Sequence, residues 1–376
     1  MTIAELLREP PEEARQREAA IFARRLSNTR SPEIVLYGAG RLGRKVAAVL
    51  RKNGLEPFAF ADNKGSLEGT RVDGVIVGSL RSLATTLGEK ALFVVTTFLP
   101  EGGGLARRTN ELLELGCRQV SNFIELGWYF DGVLPHFASD LPSRILAHSR
   151  EISLLAGLLA DEQSTQVLTQ QLAWRLRSDF DSSTRPATHQ YFPEELIRPN
   201  PHEVFVDGGA FDGDTIRSAP WNLAKVLAIE PDPINASKIR GTSRASVTLF
   251  ETLLGRTTGV SRFNSSGTMA AARADNGSIE VPITSLDALI GEESPTFIKL
   301  DVEGDELSAL EGGRRTLDRC KPVMAVCIYH KPEDLWEIPL YLKEALPNHR
   351  IYLRSHAYDG FELVVYAIPP ERCVPA

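Results

Sequence analysis

The sequence has few cysteines and none of the long apolar segments that anchor a protein in a membrane. Its four cysteines form neither a C-x-x-C zinc pair nor a dense disulfide framework. No apolar run approaches the ~20 residues needed to cross a bilayer, and the polar N-terminus lacks the apolar core of a signal peptide. These absences predict reduced thiols in a cytoplasmic protein that has no membrane partner.

The sequence also lacks a concentrated block of basic charge. The formal net charge is -7, and no long run of Lys or Arg is present. Nothing therefore predicts binding to a phosphate backbone, and nucleic acid is not an expected partner. Hydrophobic residues make up 43% of the chain and charged residues 24%, as in ordinary globular proteins.

Short apolar runs alternate with helical patterns in two parts of the 376-residue chain. Such alternation predicts parallel sheets with helices on their faces, so the expected fold class is α/β with two Rossmann-like domains. We expect an N-terminal helix over 1–30, a Rossmann-like domain of the nucleotide-binding type over 31–126, a helical connector over 127–200 and a second sheet domain over 201–376. The connector's long helix packs either within the chain or against a second copy, which leaves a homo-oligomer open.

The first predicted sheet domain carries a glycine-rich turn. Gly38, Gly40 and Gly43 follow the apolar run Ile34–Tyr37 and open a helical pattern, and Asp62 ends the next apolar run. This is the context of a dinucleotide-binding fingerprint, and it also resembles the nucleotide-sugar-binding half of certain sugar acetyltransferases. Three interpretations stay open: glycines that serve only strand–helix packing, a nucleotide or nucleotide-sugar site, and an NAD(P) site.

A second glycine turn, over 207–215, is rich in carboxylates. Glycine lets a ligand approach the backbone closely, and the next apolar run ends at Glu230, where a carboxylate can accept both hydroxyls of an adenosine ribose. Asp207, Asp212 and Asp214 suit a ligand with a sulfonium and an ammonium group and would repel a diphosphate. This favours S-adenosylmethionine over NAD, although Asp212 or Asp214 could instead cap the following helix.

Several segments resemble the FkbM-like methyltransferases over roughly 185–368. The most specific is Phe297–Glu306 (FIKLDVEGDE), and the others are Gln190–Phe192, Val206–Ala210, Ser285–Leu289, Leu310–Gly313 and Tyr329–Leu335. The resemblance implies a seven-stranded methyltransferase sheet with an antiparallel last strand, and S-adenosylmethionine as cofactor.

The resemblance also implies the cofactor site. Asp207, Gly209 and Gly213 would line the methionine end of the cofactor, and Glu230 would take its ribose. The complete set of predicted cofactor-binding residues is Tyr191, Asp207, Gly208, Gly209, Ala210, Phe211, Gly213, Asp214, Thr215, Glu230 and Pro231.

Four further residues are the predicted catalytic set. Lys299, Asp301 and Glu303 alternate past the fourth strand, so they share one side if the strand geometry persists, and His330 follows the fifth. A hydroxyl nucleophile benefits from a general base, and Asp301, Glu303 and His330 are candidates in no particular order. An ion pair at the strand end is the alternative for the first three. No ligand spacing predicts a metal, although a divalent ion on Asp301 is chemically compatible.

The expected function is methylation of a hydroxyl on a small molecule, either a sugar or a polyketide-like product. The alternatives are an NAD(P)-dependent oxidoreductase that uses the first glycine turn, and a non-catalytic nucleotide-sugar-binding module. The carboxylate-rich second turn counts against the oxidoreductase. The pairing of Asp207 with Glu230 counts against the non-catalytic module.

Overall fold

The computed structural model describes residues 1–27, 33–99, 103–180, 187–240, 246–268, 272–273 and 277–375. They form two compact units. The first comprises 1–153, 166–186 and 357–361, and the second comprises 154–165, 187–356 and 362–376. The four-part division expected from the sequence stays a prediction, and its boundary at 30/31 lies outside the described residues.

The first unit is built on a six-stranded sheet. Its strands are β1 (Ile34–Tyr37), β2 (Ala59–Asp62), β3 (Arg71–Val72), β4 (Val75–Ser79), β5 (Leu92–Val95) and β6 (Gln119–Asn122). They lie in the order β3-β4-β2-β1-β5-β6, and every neighbouring pair is parallel except β3 with β4. Strands β1 and β5 are buried along their whole length, which explains their uninterrupted apolar sequences.

The helices of the first unit follow local sequence signals. In α3, Val46, Val49 and Leu50 are buried on one face, as their helical spacing predicts. Asn122 caps α6 by accepting hydrogen bonds from two backbone N–H groups. The helices are α1 (Ile3–Leu6), α2 (Pro11–Ser27), α3 (Arg41–Lys52), α4 (Leu80–Leu87), α5 (Gly104–Glu114), α6 (Phe123–Tyr129) and α7 (Pro142–Leu146), and α8 (Ser149–Leu158) and α9 (Glu162–Arg177) each contribute residues to both units.

The second unit holds two sheets. Its strands, in chain order, are β7 (Glu203–Gly208), β8 (Leu223–Ile229), β9 (Ser246–Phe250), β10 (Leu253–Leu254), β11 (Gly259–Asn264), β12 (Ala272–Arg273), β13 (Ile279–Thr284), β14 (Phe297–Leu300), β15 (Val323–Cys327), β16 (Arg350–Ser355) and β17 (Leu363–Ile368). The large sheet has the order β16-β17-β15-β14-β7-β8-β9, and β17 alone runs antiparallel to its neighbours. Strands β10 to β13 form a small separate sheet.

This topology confirms the predicted fold class, including the seven-stranded sheet with an antiparallel last strand. The helices of the second unit are α10 (Asp214–Ser218), α11 (Pro233–Ile239), α12 (Leu286–Ile290), α13 (Glu306–Glu311), α14 (Arg314–Cys320) and α15 (Asp334–Ala345). Among the described residues, none of the helices combines the length and the apolarity needed to span a bilayer.

Candidate functional site

Four parallel strands bring the predicted residues of the second unit to one edge of the large sheet. Strands β7, β8, β14 and β15 end at Gly208, Ile229, Leu300 and Cys327. Because the carboxyl ends of parallel strands share an edge, the polar residues at these ends are close together. The register makes Lys299 of β14 the direct neighbour of Asp207 of β7.

Asp207 and Lys299 form a buried ion pair. Asp207 Oδ1 lies 3.0 Å from Lys299 Nζ, and the two side chains are 0% and 2% exposed. Lys299 Nζ also donates a hydrogen bond to the carbonyl oxygen of Gly209 at 2.6 Å. Burial alone would lower the pKa of Lys299, but the carboxylates of Asp207 and Asp301 raise it, so the lysine stays charged. Lys299 therefore positions the turn after β7.

The carboxylate of Asp207 retains acceptor capacity. Beyond its ion pair, neither oxygen accepts a well-aligned hydrogen bond from the part of the chain that the structure describes. A fully buried carboxylate ordinarily satisfies its lone pairs. Asp207 is therefore suited to a ligand that brings its own donors, such as an ammonium group.

The turn from Gly208 to Thr215 is held in a conformation that needs glycine. Gly209 has φ +75°, and a Cβ atom there would collide with the carbonyl oxygen of Asp301. The N–H groups of Gly209 and Ala210 both donate to Ile229 O at 3.0 Å, and Gly213 precedes α10 in a left-handed conformation. The close approach of two backbones thus explains the first part of the glycine-rich signature.

Glu230 is fixed against this turn by the backbone. Its Oε2 accepts a hydrogen bond from Phe211 N and its Oε1 one from Asp232 N, both at 2.9 Å. Burial raises the pKa of Glu230 to about 7, although the two hydrogen bonds oppose that shift. Each carboxylate oxygen has a second lone pair, so both can still accept a hydroxyl group. Pro231 lies in the chain between Glu230 and Asp232, whose N–H group the carboxylate binds.

A cavity of about 270 Å³ adjoins the turn. It is lined by Tyr191, Asp214 and Thr215 of the predicted cofactor set, together with Gln190 and Phe192. Asp214 Oδ1 accepts a hydrogen bond from Thr215 N at 2.8 Å, so this carboxylate is partly engaged at the start of α10. The structure thus brings the distant residues 191 and 214–215 together, as the site prediction requires.

Tyr191 also reaches the predicted catalytic residues. Its hydroxyl donates to Asp301 Oδ2 at 2.8 Å, and Lys299 Nζ lies 5.1 Å from the centre of its ring. Its backbone is left-handed, with φ +68°. Tyr191 therefore lies between the cavity and Asp301, rather than serving only one of them.

Asp301, Glu303 and His330 converge at the end of β14 and β15. His330 Nε2 lies 3.6 Å from Asp301 Oδ1 and 3.7 Å from Glu303 Oε2. Strand β14 ends at Leu300 and Glu303 has φ +56°, so the strand alternation expected through Glu303 does not persist. It is the turn after the strand that directs Glu303 toward His330. Lys299 pairs with Asp207 instead of with this group.

The charge state of His330 follows from three carboxylates. Burial alone would lower the pKa of its imidazole, but Glu306, Asp301 and Glu303 raise that pKa to about 10. Glu306 lies on the opposite side of the ring, with Oε1 2.9 Å from Nδ1. Burial and the neighbouring carboxylates raise the pKa of Glu303 to about 7, against the opposing effect of His330.

Sequence reasoning missed Glu306 and Asp232. Glu306 is fully buried, and its Oε1 accepts hydrogen bonds from Val302 N at 2.8 Å and Gly304 N at 3.3 Å. In the sequence it looks like an ordinary acidic residue of a first helical turn. Asp232 binds Ser265, Ser266 and Gly267 as well as capping α11. Its position before Pro233 is an N-cap signal, but only for the helix.

The first glycine-rich turn makes its hydrogen bond and its close contacts with residues of the first unit. Asp62 Oδ2 accepts a hydrogen bond from Ala39 N at 2.9 Å. A Cβ at Gly38 would collide with Thr97 and one at Gly43 with Gly38, whereas Gly40 has no described atom within 4 Å of that position. Two of the three glycines thus have a packing role, and a second nucleotide site at Gly38, Gly40, Gly43 and Asp62 stays a prediction.

Comparison with known proteins agrees with the topology of the second unit. Residues 207–359 match the family model of the methyltransferase FkbM domain. Comparison with curated protein sequences gives no significant match. The crystal structure of a methyltransferase FkbM from Methylobacillus flagellatus KT has a TM-score of 0.74 and 24% identity, covering 93% of this chain and 92% of that chain. At this identity the likeness shows a shared fold. Residues 207–359 are therefore similar to the methyltransferase FkbM domain, as the sequence motifs predict.

Proposed function

We propose that the second unit transfers a methyl group from S-adenosylmethionine to a hydroxyl group of a small molecule. The observation that carries this proposal is the pair of buried carboxylates on either side of the glycine turn. Asp207 is fully buried, and apart from its ion pair with Lys299 its oxygens accept no hydrogen bond from the described residues. Glu230 is fixed by two backbone N–H groups and keeps a lone pair on each oxygen. S-adenosylmethionine has an ammonium group at one end and the two ribose hydroxyls at the other, and these groups match the two carboxylates.

The residues present fit the cofactor's two polar ends. Asp207 would accept hydrogen bonds from the α-ammonium group, and Glu230 would accept them from the two ribose hydroxyls. Gly209 lets the turn that carries these residues lie directly against the backbone of Asp301. The cofactor supplies a methyl group on a positively charged sulfur, which is already activated for displacement. The chain's own task is then alignment, which can contribute several kcal/mol to lowering the barrier.

The reaction must also remove the proton from the hydroxyl group of the methyl acceptor. The hydroxyl oxygen forms a bond to the methyl carbon while the bond from that carbon to sulfur breaks, and the hydroxyl proton must leave. Asp301 and Glu303 can receive such a proton, and both lie within 3.7 Å of His330 Nε2, whereas the imidazole, with its pKa raised to about 10, is already protonated. Glu303 is the most accessible of the three, with a side chain 41% exposed, and Tyr191 holds Asp301 in place through Oδ2.

Transfer of a radiolabelled methyl group tests this proposal. Purified protein would be incubated with S-adenosylmethionine labelled in the methyl group and with panels of monosaccharides, nucleotide sugars and hydroxylated polyketides. We expect label in at least one hydroxyl-bearing acceptor, and at least a tenfold lower rate in Asp301→Asn, because a positioned base contributes ~10²–10⁴-fold. Label that enters only amines or thiols would contradict the hydroxyl acceptor.

A further inference from the structure

Asp232 links the proposed ribose carboxylate to a loop that is distant in the sequence. Its N–H group donates a hydrogen bond to Glu230 Oε1 at 2.9 Å. Its own side chain holds the loop 265–267, which follows β11. Oδ1 accepts a hydrogen bond from Ser265 Oγ at 2.8 Å, and Oδ2 accepts one from Ser266 N at 3.0 Å and one from Gly267 N at 2.8 Å. The loop is therefore fixed to a residue that itself binds Glu230.

The bonds between Asp232 and this loop are charge-assisted. Asp232 is fully buried, and burial alone would raise the pKa of its carboxyl group. The hydrogen bonds from the loop and from Ile234 N oppose burial and lower that pKa below its ordinary value. An ionised acceptor makes hydrogen bonds roughly twice as strong as a neutral one. Since the bond from Ile234 N belongs to the cap of α11, Asp232 fixes both the helix and the loop.

A second attachment runs from the same loop to the glycine turn. Lys238 Nζ of α11 donates a hydrogen bond to the carbonyl oxygen of Gly267 at 3.2 Å, and it also lies 5.4 Å from the centre of the Phe211 ring. The N–H group of Phe211 donates to Glu230 Oε2. The loop thus connects, through Lys238 and through Asp232, to both residues whose N–H groups hold the Glu230 carboxylate.

The chemistry of S-adenosylmethionine directs its base toward this loop. The adenine is bonded to the ribose carbon next to the diol, so a diol bound at Glu230 places the base close to that carboxylate. The methionine end leaves the ribose on its other side, toward Asp207 of β7. One oxygen of Glu230 binds the glycine turn at Phe211, and the other binds Asp232. A base that points away from the methionine end is therefore expected on the side of Asp232 and its loop.

We propose that Asp232 is a positioning residue for the adenosine end of the cofactor, and that the loop 265–267 borders the adenine base. This inference rests on the proposed function, in which Glu230 accepts hydrogen bonds from the two ribose hydroxyls. The side chain of Asp232 bonds to the protein rather than to the ligand. It acts on the ligand through the loop that it holds beside Glu230.

Calorimetric titration with two ligands tests the role of Asp232. The full-length protein would be titrated with S-adenosylmethionine and with 5′-methylthioadenosine, which keeps the adenosine but lacks the amino-acid end. We expect Asp232→Asn to bind both ligands about tenfold more weakly, because its amide nitrogen cannot accept a hydrogen bond and a bond to a charged acceptor is worth at least this factor. A loss of equal size for both ligands locates the effect at the adenosine end.

Gly267→Ala changes the loop while leaving Asp232 and its cap of α11 in place. Gly267 has φ +65°, and a Cβ atom there would lie 2.7 Å from Ile234 Cγ2, so the loop must shift. We expect this variant to weaken the binding of both ligands as well. Glu203→Gln is the matched control, because Glu203 is also a fully buried carboxylate that binds other segments, but it begins β7 at the end opposite to the glycine turn. It should lose stability in urea and keep both affinities.

The outcomes separate this inference from the proposed function. Unchanged affinities in Asp232→Asn would overturn the role of Asp232 alone, and so would a loss for S-adenosylmethionine without a loss for 5′-methylthioadenosine. Unchanged affinities in Gly267→Ala, beside a loss in Asp232→Asn, would show that Asp232 acts by capping α11 and not through the loop. If the unsubstituted protein bound neither ligand, the proposed function would be overturned together with this role. Should Asp232→Asn fail to fold, Gly267→Ala carries the test.

Discussion

At the residue scale, burial decides what the carboxylates of the second unit can do. Asp207 and Glu230 are both acids that follow an apolar run, and the sequence predicts them as partners of one ligand. The structure gives them different surroundings: a lysine on Asp207 and two backbone N–H groups on Glu230. Such differences arise from contacts between distant segments, which a linear pattern does not contain.

The affinity for S-adenosylmethionine should depend on the protonation of Glu230. Its pKa is raised to about 7, and only the ionised carboxylate offers both oxygens as acceptors. We expect affinity to fall as the pH decreases through 7 and to level off above ~8, as the carboxylate becomes fully ionised. Calorimetry from pH 6 to 9 measures this, and Glu230→Gln should bind weakly with little dependence on pH. Equal affinity of the unsubstituted protein at pH 6 and pH 8 would argue against this role.

Gly209→Ala should disrupt the site more than its size suggests. The new Cβ would meet the carbonyl oxygen of Asp301, and overpacking of this kind costs ~1–3 kcal/mol in addition to the ~1–2 kcal/mol of a left-handed alanine. Gly291→Ala is the matched control, because Gly291 also has a positive φ but no described atom within 4 Å. Urea unfolding compares the two, and equal losses of unfolding free energy would contradict the close approach.

At the element scale, the strands of the large sheet are predictable and the turns after them are not. Buried parallel strands appear as continuous apolar runs, so β7, β8, β14 and β15 are evident in the sequence. The turn beyond β14 is different, because Glu303 departs from the strand alternation and Glu306 is buried at the start of α13. Hydrogen bonds from the N–H groups of Val302 and Gly304 to Glu306 fix that turn. No local sequence pattern predicts these bonds.

Strand β16 also makes contacts that the sequence does not predict. Arg354 of β16 is 1% exposed and binds Asp161 through Nη2 at 2.6 Å and Ser164 through Nη1 at 3.0 Å. These contacts tie the segment 154–165 to the large sheet, which explains why it belongs to the second unit. The helical spacing of the expected connector predicts helices but gives no sign of this attachment.

Removal of Asp161 should therefore destabilise the second unit. Asp161→Ala leaves Arg354 buried beside a vacant position, and we expect a loss of about 2–3 kcal/mol in unfolding free energy. That is below the ~3–5 kcal/mol of a fully buried pair, because the Asp161 side chain is 30% exposed. The double variant Asp161→Ala/Arg354→Met should recover part of the loss in urea unfolding. A double variant less stable than the sum of the two single changes would contradict the pairing.

At the scale of the whole molecule, two glycine turns follow two parallel strands but differ in what they leave unsatisfied. In the first unit, Asp62 bonds to the turn itself, and the glycines at 38 and 43 are explained by packing. In the second unit, Asp207 pairs with Lys299, but within the described part of the chain neither of its oxygens accepts a well-aligned hydrogen bond. This contrast supports the proposal that S-adenosylmethionine binds in the second unit rather than at the first turn.

The most direct test of this account is calorimetric titration of the full-length protein with S-adenosylmethionine and, separately, with NAD. The account predicts micromolar binding of S-adenosylmethionine, at least tenfold weaker in Glu230→Ala and unchanged in the matched variant Asp62→Ala, because each ribose hydroxyl bond to a charged acceptor contributes ~1.5–3 kcal/mol. Binding of NAD that is lost in Asp62→Ala, with no binding of S-adenosylmethionine, would contradict it and move the functional centre to the first unit.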